Sequence, residues 1–434
     1  MICLKQGIKF TRSLTKLISR KCNLEKILLK MPSIKRVAKM EEFDVIVVGR
    51  GVMGNLAALT ASKANLRVLV VGPKENVTTK KVYGSRSYAL SPSSIDFISS
   101  VTEGKKIELE DQNISSMHII SNTAKVILKA EEVKKKYLAK IVNHSSLMDY
   151  LLNSNDSEFV KFLETKPQSI DYKHTDDGER IILQFFSEQK TFQVSSKLII
   201  GADGVSSWVR QSAGISWAIK NYNQKAIVSE IVPENDHQGV ACQWFYNEGI
   251  LALLPCHNGN LSMVWSVKSS FADRIMKQPL EIFLNHLHKI SRGKFGILKM
   301  NTKPISFNLS MSFADNFYGK RIALLGDSAH TVHPLAGLGL NLGIYDLISL
   351  VEQGDWFRAE KEPLFDPGHK RKLLNFHKNR VRKIPLVQHS LDSLVGLFAI
   401  PGPFASSVRS LGMNFVDNSS LIKSNLIKQA QTVI

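Results

Sequence analysis

The apolar run from Phe43 to Val48 (FDVIVV) is short and almost unbroken, the pattern of a strand buried on both faces. A glycine cluster follows, then a helix-like stretch through Ala64 and a second apolar run, Arg67 to Val71. Helix starts are expected at Ser91-Pro92 and over Ser145 to Leu152. Strands are expected around Met117 to Ile120, Val126 to Leu128, Ile181 to Phe186 and Lys197 to Ile200. Between Ala226 and Val267 the period changes to two. Leu261, Met263, Trp265 and Val267 alternate with Ser262, Val264 and Ser266, which predicts a half-buried antiparallel sheet. Strand-then-helix order returns at Arg321 to Leu325 and Ile344 to Val351, so the sheet reads as an insertion. Beyond it, Val387, Leu391, Leu394 and Phe398, then Val408, Leu411 and Phe415 after Pro401-Gly-Pro403, keep helical spacing. These faces suit packing on the body, or a membrane surface or partner.

Three turns carry candidate chemistry. Gly49-Arg-Gly51-Val-Met-Gly54 joins strand to helix to strand, the order of a dinucleotide-binding unit. Its first glycine makes the turn, the second lets a pyrophosphate approach and the third packs helix on sheet. Asp203-Gly204 follows the strand ending at Ile200, a second tight turn at a carboxyl edge. Gly326-Asp327 opens a Pro/Gly loop through Gly343. There Gly337 and Gly339 permit close approach or positive φ, Asn341 is expected to cap the next helix, and Asp327 is placed to accept from ribityl or ribose hydroxyls. The acid expected at the end of the second strand is absent, since that strand closes as Val70-Val71-Gly72-Pro73-Lys74. Glu75 is the nearest substitute. His330 and His333 form HxxH, but with no third ligand at metal spacing and Pro334 interrupting, a metal is not expected.

Charge changes the picture only at one end. The net charge is +19, but residues 1–40 hold eleven Lys/Arg against Glu25, so the body is far less basic and nucleic-acid binding is not expected. That segment reads equally as a mitochondrial presequence, a tail, or translation upstream of a start at Met40. The four cysteines, Cys3, Cys22, Cys242 and Cys256, form no CxxC pair, consistent with a reducing compartment. No apolar run reaches the ~18 residues of a membrane span.

The three glycine motifs in this order, GxGxxG, GADGxxSxVR and GDSAHxxxPxxGxGxN, resemble the FAD-dependent aromatic hydroxylases of the para-hydroxybenzoate hydroxylase fold. Within them the chain is similar to the ubiquinone-biosynthesis hydroxylases, through SRSYALSPSS, ACQWFYNEGILALLP from Ala241, SMVWS from Ser262 and HPLAGLGLNLG, over the span from Phe43 to Lys428. The resemblance implies an α/β fold. A Rossmann-like FAD-binding domain (41–105, 135–215, 318–375) would carry an inserted, mainly antiparallel substrate domain (106–134, 216–317) and a helical C-terminus (376–434).

The same resemblance implies FAD held by Gly49, Gly51, Gly54, Arg86, Asp203, Gly204, Gly326 and Asp327, with Pro334, Gly337, Gly339, Leu340 and Asn341 along the isoalloxazine edge. It implies reduction by NAD(P)H or a ferredoxin-type donor and hydroxylation of a polyprenylated phenol by molecular oxygen through a flavin hydroperoxide. No acid–base pair is assigned. It further implies contact with other ubiquinone-biosynthesis proteins and a peripheral position on the inner membrane, cytoplasmic in a bacterium or on the matrix side if residues 1–40 are a presequence. Gly72 and Leu338 depart from the family, which has an acid and a glutamine there. Another flavoenzyme of this fold, a small-phenol hydroxylase or a prenyl reductase, and a non-catalytic flavin-binding assembly subunit are the alternatives.

Overall fold

Parallel pairing at one sheet edge sets the architecture. The computed structural model describes residues 40–74, 86–102, 111–155, 158–176, 178–187, 190–362, 364–400 and 402–432. Residues 1–39, with Cys3 and Cys22, and the loop residue Glu75 lie outside them. The first sheet contains β1 (Glu41–Val48), α1 (Val52–Lys63) crossing over to β2 (Val68–Val71), then β3 (Val160–Leu163), β4 (Lys190–Gly201) and β5 (Ile322–Leu324). Its order along this row is β5-β4-β1-β2-β3, with parallel pairing throughout. β1 and β2 are apolar because both of their faces are covered; Val45 to Val47, Val68, Val70 and Val71 are fully buried. All the parallel strands therefore end at the same edge, where α2 (Leu338–Gly354) also begins.

The second sheet runs His330–Thr331, Ile305–Ala314, Trp217–Pro233, Leu261–Lys268, Gly249–Pro255, Val240–Tyr246, Ser116–Ile120 and Lys125–Lys129. It is antiparallel except where Val240–Tyr246 lies parallel to Ser116–Ile120. One face holds its own core, in which Met263 and Trp265 pack with Ile275, Phe283 and Leu287 from two covering helices. The opposite face corrects the expectation of a half-buried sheet, because Ser262, Ser266 and Gln243 on that face are buried too. It is covered from the other side: Gln243 donates to the Leu335 carbonyl (2.7 Å), and Phe245 stacks on Phe398 at 4.2 Å. Alternation of Ser with apolar residues marks two chemically different buried faces here, not one wet face.

Two long helices follow, α3 (Lys370–Ala399) and α4 (Pro403–Asn418). α3 packs along α2 and braces the loops beneath it. Leu391 is buried and Phe398 meets the second sheet, so most of this helix's apolar spacing serves packing. Val408, Leu411 and Phe415 of α4 instead face outward.

Candidate functional site

The three turns singled out in the sequence meet at the carboxyl edge of the first sheet. Ala202 N donates to Val48 O (2.8 Å) and Leu325 N to Gly201 O (2.9 Å), so β1, β4 and β5 deliver their turns side by side. Gly49 has φ +118°, and a Cβ there would lie 2.2 Å from Ala202 O; the first turn is pressed against the second. A Cβ on Gly54 would come within 1.9 Å of Gly49 O, so this glycine lets α1 seat on its own turn. Gly51 is different. It has an ordinary φ of −77°, is solvent-exposed, and a Cβ would meet nothing within 4 Å. Nothing in the polypeptide requires a glycine at 51. The open ground in front of it lies at the N-terminus of a 12-residue helix whose first N–H groups and dipole favour an anion.

The second turn is built from the inside. The half-buried Asp203 accepts from Ser207 Oγ (2.5 Å) and Val209 N (3.1 Å), so its carboxylate ties the turn to the start of the short helix Trp208–Ser212, which Ser207 caps. Burial raises its pKa, opposed by those hydrogen bonds. Gly204, with φ +80° and open space around it, is the part of this turn left free. Arg210 ties the turn to the third by donating to Val205 O and Ser328 O (both 2.8 Å) while lying 3.6 Å over Trp217.

At the third turn Asp327 is solvent-exposed, and desolvation by the protein around it raises its pKa. The exposed Arg86 opposes the rise through its charge, as does His330. Arg86, whose guanidinium lies 5.3 Å over the Tyr88 ring, is therefore within electrostatic reach of Asp327. Beneath them, Asp346 is wholly buried and accepts from Gly326 N (2.9 Å), His330 Nε2 (2.7 Å) and Arg380 Nε (2.7 Å). Burial would raise the Asp346 pKa, but His330 and Arg380 outweigh it and the carboxyl sits below its usual range. This brace sets the turn that presents Asp327.

The segment from Val332 to Gly337 joins the edge strand of the second sheet to α2. Gly337 has φ +61° and abuts Ala89, while Gly339 has no neighbour within 4 Å of a Cβ, like Gly51. Pro334 opens a short turn over Pro334–Ala336, and Leu338 and Leu340 pack on the main core. Asn341 is not the helix cap. α2 already begins at Leu338, and Asn341 is buried inside it, accepting from Ser91 N (2.9 Å) and Ser94 Oγ (2.8 Å) and donating to Ala89 O (2.7 Å). It staples the segment after Arg86 to α2. His330 and His333 point to separate partners, Asp346 and Gln224, and the described residues contain no cluster of three metal-ligating side chains.

Sequence reasoning missed Asp346 and Arg380. Asp346 lies mid-helix and Arg380 stands 34 residues further on, so only tertiary packing joins them.

Residues 42–353 match the family described as FAD binding domain. The chain is 26% identical over 389 residues to ubiquinone hydroxylase UbiL of Rhodospirillum rubrum, covering 89% of each. It is also 26% identical over 443 residues to the mitochondrial ubiquinone biosynthesis monooxygenase COQ6 of Schizosaccharomyces pombe, covering 89% of this chain and 91% of that one. Among solved structures, p-nitrophenol 4-monooxygenase PnpA of Pseudomonas putida superposes with a TM-score of 0.72 at 15% identity, over 91% of this chain and 99% of the other. The anhydrotetracycline hydroxylase OxyS of Streptomyces rimosus gives 0.63 at 16%, over 90% and 76%. These two likenesses concern the fold.

Proposed function

Because the chain belongs to the FAD binding domain family, we propose that it is an FAD-dependent monooxygenase that hydroxylates the ring of a polyprenylated phenol in ubiquinone biosynthesis. The observation that carries the cofactor reading is the pair Gly51 and Gly339, two glycines at the starts of α1 and α2 where a Cβ would meet no protein atom, together with the exposed Asp327. The relatives named as ubiquinone hydroxylases support the substrate class.

In this reading Gly51 and the first N–H groups of α1 hold the pyrophosphate. Asp327 accepts from the ribityl hydroxyls, and Arg86 beside it offsets phosphate charge. Bound FAD, reduced by NAD(P)H or a ferredoxin-type donor, supplies the activation of molecular oxygen. The chain supplies position and dryness. The N-terminus of α2 faces the ring edge with its positive end, which stabilises negative charge there. Gln243 fixes the Leu335 carbonyl, so the second sheet forms the opposing wall and keeps water from the reacting atoms. That wall carries Ala226, Val228 and Val264 on the same face as Ser262 and Ser266.

A peripheral membrane position belongs to the same reading, since a polyprenyl tail partitions into lipid. Its support is the outward apolar face of α4; none of the described helices is long and apolar enough to cross a bilayer. Contacts with other ubiquinone-biosynthesis proteins would form at that surface.

The test has two arms. Purified protein should carry a bound-flavin absorbance spectrum and consume oxygen with a prenylphenol, using NAD(P)H directly or only when a ferredoxin system is added. Mass spectrometry of the quinone precursor that accumulates when the chain is lost should show one missing ring hydroxyl. A normal quinone pool in that strain would remove the substrate assignment.

A further inference from the structure

The adenosine end of the site lacks the acid that normally closes the second strand of a dinucleotide-binding unit. We propose that Glu164, held by Arg50, binds the adenosine ribose in its place; this rests on the FAD reading above.

The pairing of β3 with β2 places Glu164 there. The two strands run parallel with Val71 opposite Leu163, and Gly72 N donates to Leu163 O (3.1 Å). The next residue, Glu164, therefore leaves the sheet edge one strand spacing, about 4.8 Å, from Gly72. An acid at 72 itself would be strained by the backbone. Gly72 has φ +151°, which disfavours side chains, and a Cβ there would already touch Arg50 Cγ at 3.4 Å and Arg50 N at 3.5 Å. The Arg50 stem lies alongside that position, in van der Waals reach of it.

Arg50 belongs to the first glycine turn. Its guanidinium lies 5.1 Å over the Phe162 ring, and Nη1 is 3.1 Å from Glu164 Oε1. Nη1 is buried and makes no aligned hydrogen bond, while the Glu164 side chain is 57% exposed. The pair is thus brought together without satisfying itself. A ribose supplies hydroxyls that donate to the exposed Glu164 carboxylate, which Arg50 holds in place from its buried side. A surface ion pair alone would contribute little to anything.

The experiment titrates the full chain with FAD by flavin fluorescence, using wild type, Glu164→Ala, Glu164→Gln, Arg50→Met and Glu75→Ala. Losing a hydrogen bond to a charged group weakens FAD binding about ten- to a hundred-fold in Glu164→Ala, less in Glu164→Gln and Arg50→Met, with apoprotein melting temperature unchanged. ADP, which carries the ribose without the flavin, competes with FAD on wild type and loses competitiveness on Glu164→Ala by a similar factor. FMN, which lacks the adenosine, binds wild type and Glu164→Ala alike. Wild-type FAD and ADP affinity in Glu164→Ala overturns the proposal, as does an equal loss of FAD and FMN. So does a selective loss seen only in Glu75→Ala. A wild-type chain that binds no FAD overturns the reading beneath it instead.

Discussion

Among the glycines of the first turn, what stands opposite a missing Cβ separates binding from folding. In Gly54→Ala the new methyl would sit 1.9 Å from Gly49 O, so α1 must shift off its turn; a loss of several kcal/mol in apoprotein stability is expected by urea denaturation. In Gly51→Ala the methyl meets no protein atom, and φ is ordinary. That variant should keep its stability within about 0.5 kcal/mol and lose FAD affinity at least ~10-fold, a cost of about 1.4 kcal/mol or more. Equal FAD binding by Gly51→Ala and wild type would show that the ground before Gly51 is not where the cofactor lies. His333 offers a second residue-scale test. Burial pushes its pKa down to about 4, against an opposing pull from Asp392, so the folded chain keeps the ring neutral between Gln224 and Tyr222. A histidine whose folded pKa lies below its unfolded value of 6.5 contributes stability that is complete above that value and is lost as pH falls toward 4. Its share of the loss between pH 7.5 and pH 5 is about 2 kcal/mol. Urea midpoints of wild type and His333→Gln at the two pH values should diverge by that amount, and parallel midpoints would contradict it.

At the scale of elements, the Asp346 brace makes α3 part of the cofactor site although α3 lies beyond the residues matched to the family. Arg380→Met leaves a buried carboxylate facing only His330 and Gly326 N. Breaking such a pair costs about 3–5 kcal/mol, and the misplaced Gly326 turn should also weaken FAD binding. Asp346→Asn combined with Arg380→Met removes both charges and should recover much of the stability while FAD affinity stays low, because the acceptor for His330 and Gly326 N is altered. Recovery of both together would make the brace structural alone. The sequence showed the β1–α1–β2 unit because all of its information is local: an apolar run, three glycines at fixed spacing and a second run. The same locality placed the turns at Asp203 and Asp327. The use of each side chain was decided from further away. Asp203 was engaged by Ser207 and the N–H of Val209, four and six residues on, and Asn341 was drawn into α2 by the helix starting at Leu338 and by partners about 250 residues earlier. Glu164 was invisible for a related reason: Val160–Leu163 has no strong period, and only its pairing with β2 brings the next residue to the gap at Gly72.

For the molecule as a whole, the unassigned surface is the outer side of the C-terminal helices. α4 docks on the strand Lys125–Lys129 through Asp417, which accepts from Ile127 N (2.9 Å), and through Ser410, which meets Thr123. Met413 is buried on that same side. Val408, Leu411 and Phe415, spaced three and four apart, occupy the opposite face, with Leu411 70% and Phe415 67% exposed. Residues 403–432 carry Arg409, Lys423 and Lys428 against Asp417, so the apolar stripe belongs to a modestly basic stretch, a combination suited to the headgroup region of anionic bilayers. Burying a large apolar side chain is worth about 1.5–3 kcal/mol; removing two of them should therefore weaken binding at least ten-fold. Cosedimentation with vesicles containing anionic phospholipid is expected to pull down wild type but little of a Leu411→Asp/Phe415→Asp variant whose FAD binding is unchanged. Raising the salt should weaken wild-type binding by screening the basic contribution while leaving an apolar remainder that the variant lacks. If both proteins stay in the supernatant, or both pellet equally, the α4 face has a use other than docking on lipid.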